Sequence, residues 1–396
     1  MLAIALKMLM GARAKFTGLI FGIAFTSFLT TFATSYFCGF MTNGFALISE
    51  NKSADVWVMG PAVQSVEQTT NISDSALTQV RSVAGVRFAA PLALGTTEVR
   101  FANGQFQSFQ IIGVDDATLT GAPMLKNNHA LSLRYPDAVI VDPGGTVDKL
   151  ETPLFKADQW TYGEPHLHAP TRPLTAGDEL LINDHRAFVI GRSKELSRYP
   201  PRPLIYTTFS NAMGFLSPQR KNTTFILVTA APSVDARDLA QRITAQTGLR
   251  ARTSADFKAD TVHWYLVNSE DVGDIGAMLI LAMSVGFGVT GIMLYMFTAE
   301  SLRQYAVLSA MGATPRLLIV MIFTQAGICA LIGAGLGFGL CGLIGQLVIM
   351  ADYPFRMMWF TPLIGGLMVI LISIISALLS AWPVLKLQPM VVFSGR

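Results

Sequence analysis

His166 and His168 stand two residues apart, the spacing that puts two imidazoles on one side of a strand, and Asp178, Glu179 and His185 follow in sequence. Such a set could hold a divalent cation through nitrogen and oxygen ligands. The surrounding stretch is rich in Pro and Gly, and neither an H-E-x-x-H pair nor a cysteine pair accompanies it. The histidines therefore read as solvated loop residues, and no metal is expected. Ser, His and Asp are plentiful, yet no G-x-S-x-G turn presents a serine nucleophile. ATP hydrolysis would need a Gly-rich loop ending in Lys and Ser or Thr to cradle phosphates, and none occurs. The chain reads as non-catalytic, with no cofactor of its own.

The elements that would position any site are dominated by apolar runs. A mean hydropathy of +0.45 and 14% charged residues depart from soluble composition. Phe16 to Phe40, Ile275 to Thr298, Leu317 to Met350 and Phe360 to Leu385 contain no Asp, Glu, Lys, Arg or His. Each exceeds the roughly 20 residues that cross about 30 Å of hydrocarbon, so four transmembrane helices are expected. The third would be about 50 Å long at ~1.5 Å per residue and must tilt or project. The first is too long for a signal peptide and lacks a small-x-small cleavage site. Ion-coupled transporters keep ionisable side chains inside the membrane; these spans have none.

Basic residues fix the expected orientation. Lys7, Arg13 and Lys15 precede span one, Arg303 and Arg316 lie between spans two and three, and Lys386 and Arg396 follow span four. By the positive-inside rule both termini are cytoplasmic and Met41 to Asp274 lies outside. The net charge of +3 follows from this bias and calls for no nucleic-acid partner. Cys38, Cys329 and Cys341 all fall within spans, where free Cys behaves as a small hydrophobe. A large domain without disulfides fits the periplasmic side of a bacterial inner membrane.

Within that domain, Asp55 to Gly60 reads as a strand and Asp74 to Gly85 as a helix capped by Ser73 or Asp74. Strands follow at Phe88 to Leu94, Thr97 to Phe101 and Phe109 to Val114. The order recurs in Phe225 to Thr229, a helix over Asp235 to Thr247, and a strand over Leu249 to Thr253; Leu77-Thr-Gln-Val-Arg echoes Leu239-Ala-Gln-Arg-Ile. Two βαβ-like halves predict a ferredoxin-like core, over about 45–115 and 219–255, with a β-rich insertion over about 116–218. Asp178 to Ile190 reads as a hairpin turning at Asn183-Asp184. Phe257 to Glu270 is expected as an amphipathic helix running directly into span two. The fold class is thus an α-helical membrane protein with four spans and a large α+β extracytoplasmic domain. Residues 1–15 are expected as a cytoplasmic amphipathic helix, 351–359 as a short periplasmic loop and 386–396 as a cytoplasmic tail.

The loop between spans two and three, residues 299–316, is too short for a domain yet has helical order. Leu302, Ala306 and Ala310 share one face, Leu308, Met311 and Ala313 add apolar surface, and Gly312 and Pro315 end the helix. Pinned between two spans, such a helix can act as a lever. In span three Gly335-x-x-x-Gly339 would let two helices approach closely, as at a dimer interface.

This loop resembles that of FtsX/MacB-type ABC transporter permeases. The match comprises Glu300, Tyr305, Ala306, Leu308, Ala310, Met311, Gly312 and Ala313, with Gln304 where an acidic residue often precedes the aromatic one. Asp55-Val-Trp-Val-Met, Val86-x-x-x-Ala-Pro-Leu, Ile112-Gly-Val-Asp115 and Asp256-Phe are similar to the DevC-like branch. The resemblance implies a homodimer bound to two ABC ATPase subunits that carry the ATP and Mg. Glu300 and Arg303 would make polar contacts to the ATPase; Tyr305, Leu308 and Met311 would fill its groove; Gly312 would permit the turn into span three. It further implies mechanotransmission and efflux with a periplasmic adaptor and outer-membrane channel, or alternatively release of lipoproteins or regulation of cell-wall hydrolases. A membrane-anchored ligand sensor is the remote alternative.

Overall fold

The computed structural model describes residues 13–123, 129–146, 148–160, 164–217, 222–351 and 353–385. The helix expected over 1–15 lies outside them except for its last three residues, and the tail over 386–396 lies outside entirely. The chain opens with α1 (Arg13–Gly44) and α2 (Ala46–Glu50). The large domain contains β1 (Val56–Met59), α3 (Ala76–Arg81), β2 (Val86–Arg100), β3 (Phe106–Val114), β4 (Ala138–Asp142), β5 (Glu151–Pro153) and β6 (Thr171–Pro173). It continues with β7 (Glu179–Ile182), β8 (His185–Arg192), β9 (Leu204–Thr208), α4 (Phe209–Phe215), β10 (Phe225–Ala230), α5 (Ala236–Thr247), β11 (Arg250–Thr253) and α6 (Ser254–Asn268). Last come α7 (Glu270–Glu300), α8 (Leu302–Ala310), α9 (Pro315–Met350) and α10 (Phe360–Leu385). Residues from Met41 to Asn268 form one compact unit; those up to Phe40 and from Ser269 onward form the other.

In the large domain, β11-β1-β10-β2 is an antiparallel sheet, the strand order of the expected ferredoxin-like core. α3 and α5 cover one face, burying Val56, Val58, Val80, Ile226, Leu239 and Ile243 between helix and sheet. α5 is capped by Asp235, which accepts from the Arg237 N–H at 3.0 Å, and ends at Gly248 in the left-handed region. α3 starts later than expected: Ser75 is its first flanking residue, and Ser73 instead closes a turn by accepting from the Ala76 N–H at 3.0 Å. On the other sheet face Trp57 is fully buried, its ring 5.6 Å from Phe225 and 5.7 Å from Phe257.

The β-rich part is a closed ring of pairings, β2-β3-β9-β4-β8-β7 and back to β2, and closure leaves it no open edge. Phe109, Ile111, Val139, Val141, Ile182, Val189 and Ile205 fill its interior. The two strands expected at 88–94 and 97–101 are one. β2 pairs with β10 through Leu92 and with β3 from Ala93 onward, so the second lobe begins well before residue 116. Within this strand Gly95 packs closely on Leu216, where a Cβ would lie 2.5 Å from Leu216 Cδ2. The hairpin turns where expected: Asn183 and Asp184 have φ of 49° and 63°, and Ile182 faces His185.

The segment before β9 is tied to both chain segments that lead toward spans. The Tyr199 N–H donates to the Asn43 carbonyl at 3.2 Å, and the Tyr265 hydroxyl donates to the Tyr199 carbonyl at 3.0 Å. Arg198, almost wholly buried, forms an ion pair with Glu67. α6 does not run on into span two. Ser269 is extended (φ −96°, ψ 124°), the Asn268 amide donates back to the Trp264 carbonyl, and Glu270 and Asp271 open a new helix whose N-terminal dipole they complement.

In the other unit, α1, α7, α9 and α10 are each long and apolar enough to cross a membrane. α1 packs against all three others through small and hydroxyl residues, which permit close approach in lipid. Gly286 meets Thr26, Gly333 meets Ile23, Gly337 meets Ser27, and Gly365 meets Thr31. The Ser27 hydroxyl donates to the Ala334 carbonyl at 3.2 Å, and Ser35 donates to Thr361 at 3.1 Å. A Cβ at Gly337 would sit 2.5 Å from Ser27 Cβ and 2.6 Å from the Ala24 carbonyl oxygen, whereas at Gly335 it would meet nothing within 4 Å. Gly337→Leu is therefore predicted to destabilise the monomeric chain in detergent by about 2 kcal/mol or more, and Gly335→Leu by less than about 0.5 kcal/mol. Thermal unfolding of both variants checks this; equal losses would contradict the packing.

Candidate functional site

α8 is a nine-residue helix held between the ends of two spans. It begins at Ser301, whose carbonyl accepts from the Tyr305 N–H at 3.1 Å. Its end is a Schellman arrangement: Gly312 has φ 94°, the Gly312 N–H donates to the Ser309 carbonyl, and the Ala313 N–H donates to the Leu308 carbonyl, both at 3.0 Å. Thr314 is extended and Pro315 opens α9, whose fixed φ suits a first helical position. Gly312 thus makes the turn into span three, because the left-handed conformation strains any residue with a Cβ.

The faces of α8 differ from the expected ones. Tyr305 is fully buried, in a cluster with Leu19, Phe297, Leu318 and Ile322. Its hydroxyl donates to Gln325 Oε1 at 2.9 Å. Burial pushes this phenol up to about 12, partly offset by the Gln325 bond, so it stays a neutral donor. Tyr305 therefore does not fill a partner's groove; it fastens α8 to span three. Leu308 is half-buried against the same cluster. Ala310, expected on the apolar face, is exposed.

The outward face is Arg303, Gln304, Val307, Ala310 and Met311, with Met311 70% exposed and Val307 43% exposed. Positions 303, 307 and 311 are spaced four apart and form one stripe. Glu300 is exposed at the end of α7. Sequence reasoning missed Val307, although it completes the four-residue spacing, and Gln325, whose only signal is that it is one of two amides, with Gln346, in an apolar run. Gly335 and Gly339 have open space where a Cβ would stand, whereas Gly333, Gly337 and Gly345 of the same span pack within the chain.

His166 and His168 are exposed and lie on a turn, not a strand, with the His166 N–H donating to the Asn103 carbonyl at 3.0 Å. Asp178 is gripped by Arg172 at 2.6 and 2.8 Å and by the Thr175 N–H at 2.7 Å. Burial alone would raise its carboxyl, but these hydrogen bonds hold it below the usual carboxylate range. Among the described residues no three His, Cys, Asp or Glu side chains converge as a metal site.

Four spans, a large mixed α/β domain between the first two and a short helix locked between the second and third define a polytopic membrane protein. Residues 276–389 match the FtsX-like permease C-terminal family, a stretch that takes in the last three spans and the loop helix and agrees with the expectation from the loop motif; nothing distinguishes the DevC-like branch. Among solved structures the chain is similar to the periplasmic region of MacB from Actinobacillus actinomycetemcomitans (12% identity, 54% of this chain, 96% of that chain, TM-score 0.35). It is also similar to the extracellular domain of the noncanonic ABC-type transporter YknZ from Gram-positive bacteria (13% identity, 50% and 99% covered, TM-score 0.31). A domain of a Porphyromonas gingivalis permease protein is a third such structure (11% identity, 51% and 88% covered, TM-score 0.29). No curated protein matches the chain.

Proposed function

We propose that this chain is the permease subunit of an ABC exporter in a bacterial inner membrane, transmitting the ATP-driven motion of a separate ATPase to its periplasmic domain. The observation that carries the reading is the division of α8 into a buried face fastened through Tyr305 to span three and an outward stripe of Arg303, Val307 and Met311. A push on the stripe is transferred to the spans because the buried face cannot slip independently of them. Glu300 and Arg303 supply polar contacts to the ATPase, while ATP and Mg reside on that partner. The outward Gly335 and Gly339 offer close approach to a second copy. A periplasmic adaptor and an outer-membrane channel complete the export path, and both termini are cytoplasmic. Co-purification of the detergent-solubilised chain with its ABC ATPase tests the reading: a complex of two permeases and two ATPases is expected, and a wild-type chain that binds no ATPase contradicts it.

A further inference from the structure

Beside α6 the large domain has a groove of ≈ 390 Å³ lined by Phe45, Lys258, Ala259, Val262, His263 and Leu266, a volume within the range of ligand pockets. Its position is fixed by the chain itself. Phe45 directly follows the last residue of α1, and Leu266 stands three residues before Ser269, after which α7 begins. The groove is thus built from the segments of the domain that adjoin spans one and two in sequence. Its floor is apolar, and Leu266 and Val267 beside it are 49% and 70% exposed.

The charge on α6 is divided between two sides. Asp256 accepts from the Thr253 hydroxyl at 2.8 Å, and Asp260 accepts from Arg250 and Arg252, both at 2.7 Å. The acids of this helix are thus engaged with β11. On the groove side stands Lys258, its ammonium 5.8 Å from the centre of the Phe45 ring and without an ion pair among the described residues. His263 is exposed at the rim. An apolar trough with a cation at its edge, next in sequence to two spans, matches an amphiphile with a negative headgroup. We propose that this groove binds an anionic phospholipid of the adjoining leaflet, its phosphate at Lys258 and His263 and an acyl chain along Phe45, Val262 and Leu266. The site is independent of whether the chain serves an exporter.

Trp264, half-buried and next to His263, reports on the site. The full chain in a Trp359→Phe/Trp382→Phe background, which removes the two exposed tryptophans near the spans, is reconstituted into phosphatidylcholine vesicles with brominated phosphatidylglycerol or brominated phosphatidylcholine. Brominated phosphatidylglycerol is expected to show about fivefold stronger association, as befits a basic residue at an anionic surface. Lys258→Glu should bring the ratio to about one, and Lys258→Arg should preserve it. A wild-type ratio near one, a preference unchanged in Lys258→Glu, or no quenching by either lipid, as when a second copy covers the groove, would each overturn the proposal.

Discussion

The double variant Val307→Asp/Met311→Asp is expected to lose its ATPase partner while keeping its fold. Both side chains lie on the outward stripe of α8 and make no part of the buried cluster, so their replacement leaves the four-span packing intact. In a docked complex the two would lose apolar contact and bring carboxylates into a desolvated interface. Loss of a central interface anchor costs about 2 kcal/mol or more, equivalent to at least ~30-fold in affinity. Titration of the purified ATPase against the wild-type and variant chains reads this directly, with the thermal unfolding midpoint as the control. An unchanged affinity would remove α8 as the docking element.

Tyr305→Phe is expected to do the opposite. The ring still fills its place among Leu19, Phe297 and Ile322, but the bond to Gln325 is gone. Gln325 is 1% exposed, and removing one partner of a buried polar group costs about 1–3 kcal/mol. The stripe at 303, 307 and 311 is untouched, so ATPase affinity should stay within about twofold. The link from α8 to span three loosens, and ATP-driven transport falls although the complex forms. Tyr305→Ala goes further, opening a cavity that costs about 3–5 kcal/mol and threatening the fold itself. If Tyr305→Phe weakened docking as strongly as the Val307 and Met311 changes, the side chain would be meeting the partner after all.

These contrasting expectations show where the sequence is and is not legible. The spans could be read because charge-free runs have no other stable place in a chain of this composition. The ferredoxin-like order was visible in the echo between Leu77 and Leu239, and the hairpin in Asn183-Asp184, since both signals are local. Ring closure was not, because the pairing of Val99 with Ile182 joins strands far apart in sequence. The break at Ser269 had a signal in Glu270 and Asp271, two acids suited to a helix start, but apolar periodicity across it suggested continuity. In α8 apolar residues occur on both faces, so periodicity alone could not say that Tyr305 turns inward and Met311 outward. The glycines of span three presented the same ambiguity: Gly333 and Gly335 are two residues apart and so occupy different faces of one helix, and only packing against α1 separates them.

The central claim, that the outward stripe of α8 is the surface on which a separate ATPase acts, is tested most directly by site-specific photo-crosslinking. A photoreactive residue placed in turn at Val307, Met311 and, as a control within span three, the exposed Leu331 would be activated in membranes containing the ATPase. The account predicts an adduct to the ATPase from positions 307 and 311 and none from 331. Adducts from no position on α8, with the ATPase present and the chain folded, would contradict it.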